Sequence, residues 1–202
     1  VYAVTYEGIR APMVVKHLSV PATQTMVSGL IYSGAVADEE AALAYYRSET
    51  DELKKELALL EPMRDHPHFL PYLDSLIKEK TDGVGFDVYL LTLRATTLRQ
   101  LMDRHALTYR SALEMGVGVA EALCTLRMRG LLDRDIRPEN LFQDSEGCFR
   151  LGDLGFITLE DIPYATLPDR YISASTPPEL CDVLGSHNET VDTYGLGAIL
   201  WT

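Results

Sequence analysis

Between Leu131 and Phe142 the chain reads LLDRDIRPENLF. Asp133, Arg134, Asp135, Arg137, Glu139 and Asn140 crowd around Pro138, with an apolar pair on either side. Two explanations compete. A solvated turn whose side chains bond to its own backbone uses these residue types. So does a phosphoryl-transfer loop, because that chemistry needs positioning and charge neutralisation more than covalent help. The remainder of the chain has to decide between them.

The elements that must carry this loop can be read from period and punctuation. Val1–Tyr6 reads as a strand, Glu7-Gly8-Ile9-Arg10 as a turn, and Ala11–Leu18 (APMVVKHL) as the paired strand, with Lys16 near its end. Residues 19–37 contain Pro21, Gly29 and Gly34 and read as mixed loop with a short helical piece. A long helix follows in ADEEAALAYYRSETDELKKELALLEPM; its acidic first turns suit the helix dipole. Ala42, Tyr45, Tyr46, Leu53, Leu57 and Leu60 make one apolar face, which is core with no cofactor role, and Pro62 with Asp65-His66-Pro67 ends the helix. FLPYLDSLIKE and GFDVYLLTLR read as strands joined at Thr81-Asp82-Gly83. After Arg94 the texture turns helical in TLRQLMDRH and TYRSALEMGVGVAEALCTLRMRG. CFRLGDLGF is a short strand entering a Gly-bounded turn, and the proline-rich residues 157–190 are mostly loop. Strands with one helix, then mostly helices, predict an α+β fold in two lobes that meet near Leu93–Ala95.

Bulk composition narrows the partners. With 202 residues, 47% hydrophobic and 24% charged, the chain is globular in character. A net charge of -12 argues against a nucleic-acid partner, while local cations and a metal ion can still hold a small anionic ligand. Cys124, Cys148 and Cys181 are odd in number and form no C-x-x-C pair; they read as reduced, mostly buried thiols of a cytoplasmic protein. Asn188-Glu189-Thr190 matches a glycosylation sequon, a pattern common by chance. No apolar run approaches the ~18 residues of a membrane span, and VYAVTYEG is no signal peptide, so this segment predicts no membrane contact. Nothing specifies an oligomeric state. The missing initiator Met and the uncapped apolar end DTYGLGAILWT predict a piece cut from a longer protein at both ends.

The opening loop has companions. DRDIRPEN, GDLG, TPPE and DTYGLG occur in that order, with Asp153 thirteen residues beyond Asn140. Together they resemble the signature of eukaryotic-like (Hanks-type) serine/threonine protein kinases: H-R-D-x-K-P-E-N, D-F-G, A-P-E and D-x-W-S-L-G. Upstream, VYAVTYEGIRAPMVVKHL resembles the second and third strands of that family, with MVVK for V-A-I-K, and ELALLEPMRDHPHFLPYLD resembles the end of its helix C and the strand after it. The resemblance implies residues 1–93 as the small lobe without its Gly-rich phosphate loop, and 94–202 as part of the larger, mostly helical lobe.

It also implies roles. Asp135 matches the catalytic-loop aspartate that takes or orients the substrate hydroxyl proton, and Arg137 stands where a lysine contacts the γ-phosphate. Asn140 and Asp153 match the two ligands of Mg2+, for which hard oxygen donors are suited. Lys16 matches the lysine on the ATP α- and β-phosphates. Its carboxylate partner is Glu56, with Glu52 as the alternative on the same helix face. Thr92 matches the back of the nucleotide pocket, and Leu93–Ala95 the adenine hinge. Asp192 matches the aspartate that braces the catalytic loop, and Glu179 would pair with an arginine beyond residue 202. Departures are Asp133 for His, Arg137 for Lys, Leu154 for Phe and Pro177 for Ala.

The implied activity is transfer of the ATP γ-phosphate to serine or threonine of a protein substrate. A pseudokinase scaffold and a small-molecule phosphotransferase are the alternatives. Thr158, Thr166, Ser173, Ser175 and Thr176 are candidates for regulatory phosphorylation, with Arg134 as phosphate acceptor. His66 and His68 lack a third metal ligand and read as packing or capping residues. The apolar face of GLGAILW is expected to be exposed in this chain.

Overall fold

The computed structural model describes residues 1–6, 9–152, 158–159, 174–181 and 188–201. They form two compact units, Val1–Arg64 with Pro71–Arg94, and Asp65–Leu70 with Ala95–Thr202.

The first unit is built on an antiparallel sheet of β1 (Tyr2–Tyr6), β2 (Ile9–Val20), β3 (Tyr72–Glu79) and β4 (Phe86–Leu93), in the order β1-β2-β4-β3. Central β4 is paired on both edges and alternates strictly, with Phe86, Val88, Leu90 and Thr92 buried. The paired strand β2 is longer than Ala11–Leu18. Its register runs from Ile9 opposite Tyr6 to Val20 opposite Phe86, so Ile9 and Arg10 belong to the strand and not to a turn. Conversely β3 starts at Tyr72, because Phe69 and Leu70 pair with another strand in the second unit.

Two helices cover this sheet. α1 (Gln24–Tyr32) is a fuller helix than the short piece expected in residues 19–37. α2 (Glu39–Leu60) starts at Asp38, whose side chain accepts the Ala41 N–H at 2.9 Å, with Glu39 and Glu40 in the first turn. Ala42 and Tyr46 pack with Val27 and Phe86 as the core of this unit. Tyr45 is exposed and Leu53 and Leu57 are half-buried, so the apolar face is narrower than the sequence pattern implies. Its buried line passes through Thr50, which satisfies its hydroxyl on the Arg47 carbonyl at 2.9 Å.

The second unit contains α3 (Leu98–Asp103), α4 (Tyr109–Arg127) and α5 (Thr190–Trp201). Thr97 with Gln100, and Thr108 with Ser111, form reciprocal caps at the first two. Short strands β5 (Thr96–Thr97), β7 (Leu141–Gln143) and β8 (Phe149–Leu151) make one sheet, while β6 (Leu131–Leu132) pairs with β9 (Thr158–Leu159). Phe69 forms a parallel bridge to Leu151 and is fully buried with Leu98, Leu126, Leu132 and Leu141. The four-stranded sheet is antiparallel throughout and its strands do not alternate regularly with helices, which makes the fold α+β as expected.

Cys124 and Cys148 are free and exposed, one on the outer side of α4 and one in the β7–β8 turn, which corrects the expectation of mostly buried thiols. On α5, Leu200 and Trp201 are exposed while Val191, Leu196 and Ile199 are buried. No helix among the described residues is long and apolar enough to cross a membrane.

Candidate active site

The loop between β6 and β7 is not a solvated turn. Its flanks, Leu131, Leu132 and Leu141, are anchored in the core, and within it Asp133, Arg134, Ile136 and Asn140 are all buried. Buried polar groups need partners. Asp192, in the first turn of α5, supplies two: its carboxylate accepts the backbone N–H of Asp133 at 3.0 Å and of Arg134 at 2.7 Å. Burial pushes the Asp192 carboxyl above the usual carboxylate range, and the two N–H bonds and the Arg134 charge offset this only in part. Arg134 has φ +65°, a left-handed conformation that costs a non-glycine residue about 1–2 kcal/mol. The bond from its N–H to Asp192 holds that conformation in place.

The chemistry-bearing side chains meet past this brace. Asp133, standing where the family has histidine, accepts the Asp135 N–H at 3.0 Å and so shapes the same turn. The Asn140 amide donates to the Asp135 carbonyl at 3.0 Å and to the Asp135 carboxylate at 2.6 Å. Arg137 Nη1 stands 4.0 Å from the Asp135 carboxylate, while its Nε donates to Glu139 at 3.0 Å. Arg99 of α3 donates to the other Glu139 oxygen, also at 3.0 Å. Burial raises the Glu139 carboxyl, but the bonds from Arg137 and Arg99 outweigh it and leave the group below its ordinary value. The sequence alone offers no role for Arg99 and Glu139, because a pair forty positions apart leaves no periodic signal.

Gly152 N–H donates to the Asn140 carbonyl at 2.9 Å, which joins the end of β8 to this loop. A Cβ on Gly152 would lie 2.9 Å from Leu70 Cβ and 3.0 Å from the Phe142 ring, so the position has no room for a side chain. Asp153 lies outside the described residues, as do Leu154 and Gly155. Ser175 is buried and Thr176 and Glu179 half-buried around the Pro178–Cys181 turn; Thr166, Ser173 and the Thr158 side chain lie outside the description.

In the first unit, Lys16 is half-buried and opposite Leu90. Strand alternation puts it on the same sheet face as the Val14–Thr92 and Val20–Phe86 pairs. Phe86 packs on Ala42 and Tyr46, so this face looks toward α2, the helix carrying Glu52 and Glu56. The Glu56 side chain lies outside the description; Glu52 is exposed and bonds to Lys55 at 2.6 Å. Thr92 is buried and donates to the Pro71 carbonyl at 2.8 Å, while Leu93 is half-buried opposite Met13. The structure thus brings Asp135, Arg137 and Asn140 together in one unit, and sets Lys16 and Thr92 on one sheet face in the other.

No family model matches the chain. It is 29% identical over 150 residues to the serine/threonine-protein kinase PkaB of Streptomyces coelicolor, covering 68% of this chain and 34% of that protein. Over 127 residues it is 34% identical to CBL-interacting protein kinase 22 of Oryza sativa subsp. japonica, covering 60% and 26%. Over 181 residues it is 23% identical to the probable serine/threonine-protein kinase gdt2 of Dictyostelium discoideum, covering 86% and 11%. The chain spans about a third or less of the length of these curated relatives. Motif order and relatives agree: over 60–86% of its length the chain is similar to part of protein kinases of the serine/threonine type.

Proposed function

We propose that this chain contributes the catalytic loop and nucleotide-facing sheet of a cytoplasmic serine/threonine protein kinase that uses ATP and Mg2+, with residues 1–93 as its small lobe and 94–202 as part of its large one. The observation that carries this reading is the Asp135–Asn140 pair, bonded at 2.6 Å on a loop held from below by Asp192. An aspartate held in this way keeps one orientation toward an incoming hydroxyl and accepts its proton as the oxygen attacks. Because the Asn140 nitrogen is turned to Asp135, its amide oxygen is the end available to a cation. With the carboxylate of Asp153 it would make a hard oxygen donor set of the kind that suits Mg2+. The bound metal would supply neutralisation of the triphosphate charge. Arg137, half-buried at 4.0 Å from Asp135, adds a cation beside the reacting groups, and Lys16 with Glu56 would hold the α- and β-phosphates against the sheet, with Thr92 and Leu93 lining the nucleotide pocket.

Transfer of labelled γ-phosphate from ATP to a generic protein acceptor by the full-length protein, against Asp135→Asn, tests this. A loss of about a hundredfold or more in the variant supports the reading. Equal, background-level transfer by both, with nucleotide still bound, would replace the enzyme by a pseudokinase scaffold.

A further inference from the structure

His66 and His68 are the sequence feature that the proposed catalytic reading leaves unused, and both are tied into the second unit. The His68 backbone N–H donates to His66 Nδ1 at 3.2 Å. On the other side of the ring, Nε2 lies 3.1 Å from the Thr125 hydroxyl, whose own proton goes to the Glu121 carbonyl at 3.0 Å. A backbone N–H can only donate, so Nδ1 must be the bare nitrogen. The Thr125 proton is already used, so Nε2 must carry the hydrogen. The surroundings admit one state of His66, neutral with its proton on Nε2.

What this ring holds down is the segment Asp65–Leu70. That segment reaches β8 through Leu151 N–H to the His68 carbonyl at 2.8 Å and Leu70 N–H to the Leu151 carbonyl at 2.7 Å. Leu151 leads directly into Gly152, which is bonded to Asn140. The groups facing the site are His68 on the segment, with ring centres 6.0 Å apart, Glu121 on α4, Arg129 in the turn after α4, and Arg150 on β8, which donates to the Phe69 carbonyl at 3.3 Å. His68 itself sits with Nε2 3.0 Å from Glu121 and Nδ1 3.2 Å from the Phe149 carbonyl, at a place where α4 has Gly118.

From this geometry we infer that His66 is a pH-sensitive clasp, which in its neutral form fastens residues 65–70 to α4 and β8 and which a second proton, on Nδ1, unfastens by removing the acceptor for the His68 N–H. Burial first, then the neighbouring His68 and Arg129, hold the His66 pKa below its ordinary 6.5 against the opposing pull of Glu121. A histidine lowered by folding contributes stability above its unfolded value, and that contribution is lost as pH falls through the folded value. Acidification therefore loosens the edge of β8 beside the candidate site. The inference needs no phosphotransfer to be true, so its test is separate from that of the proposed function.

Amide hydrogen exchange of Leu70 and Leu151 in the full-length protein, corrected for intrinsic rates, is compared between about pH 7.5 and 5.5, the range in which an ordinary histidine titrates. Protection should fall about fivefold in the wild type, the ratio that follows from losing one ordinary hydrogen bond, and stay level in His66→Gln. A wild type without the step, or a step that survives in His66→Gln, overturns the clasp. Should the variant not fold, nitrogen NMR of the wild-type ring at neutral pH decides: the Nε2–H tautomer is required, and the Nδ1–H tautomer refutes it.

Discussion

A Cβ placed on Gly195 would lie 2.8 Å from the Cβ of Ile136 and 3.2 Å from its carbonyl oxygen. This glycine is what lets α5 settle against the catalytic loop, and Asp192 reaches the loop backbone from the preceding turn of the same helix. Gly195→Ala is therefore expected to destabilise the fold by about 1–3 kcal/mol through overpacking, although alanine is the better helix former. Denaturant melts of the two proteins measure this; equal midpoints would mean that the loop does not depend on so close an approach.

Removing the brace itself is a separate experiment. Asp192→Ala leaves the N–H groups of Asp133 and Arg134 without their acceptor in a buried site, at about 1–3 kcal/mol for each group left unsatisfied. Arg134 also loses the bond that holds its positive φ. Relief of a buried carboxylate offsets part of this. The expected result is a net loss of stability together with faster exchange at the Asp133 and Arg134 amides, and unchanged exchange there would remove Asp192 from its bracing role.

Which parts of this were readable from residue order follows from how far each signal reaches. Strand β4 and helix α4 announce themselves by local period, and the loop from Asp133 to Asn140 by charge density, so all three were legible. Helical spacing alone puts Tyr45 and Tyr46 on one buried face; packing on Val27 and Phe86 selects Tyr46 and leaves Tyr45 exposed. Phe69 and Leu70 look like the start of β3, yet they pair with Leu151, some eighty positions away. Residue type alone puts cysteines inside, while the helix face and the hairpin turn that carry Cys124 and Cys148 put these two outside. The Arg99–Glu139–Arg137 chain was invisible for the same reason as the Phe69 pairing: its members meet only after folding.

Acid sensitivity should have a second source in the β7–β8 turn. Asp144 is nearly buried and accepts from Arg150 at 2.6 Å and from the N–H groups of Glu146 and Cys148 at 2.9 Å each. Burial raises its carboxyl, but these bonds prevail and hold it below its ordinary 3.8. A carboxyl lowered by folding contributes stability above its unfolded value and loses it as pH falls through the folded one. Asp144→Asn should cost about 1–3 kcal/mol near neutral pH, the worth of hydrogen bonds to a charged group, and the gap to wild type should close below pH 3.8. Urea melts across that range read the gap directly, and a gap that stays constant with pH would show that the charge contributes nothing.

Asn140→Asp is the sharpest probe of the candidate site, because it changes one nitrogen to oxygen where Asn140 Nδ2 now stands 2.6 Å from the Asp135 carboxylate. The donor disappears and a second carboxylate takes its place. Two carboxylates this close cannot both ionise, so one keeps a proton and the pKa of the pair rises. Phosphotransfer by the full-length protein should fall about a hundredfold or more at neutral pH, as when one positioned donor is removed from an active site. The acid limb of its pH–rate profile should also move to higher pH. Asn140→Ala removes the same donor without adding charge, and should lose rate while moving that limb upward by less than Asn140→Asp does. If both variants lose rate and neither moves the limb, the contact between Asn140 and Asp135 does not tune the base, and Asn140 acts only through the ligand it binds.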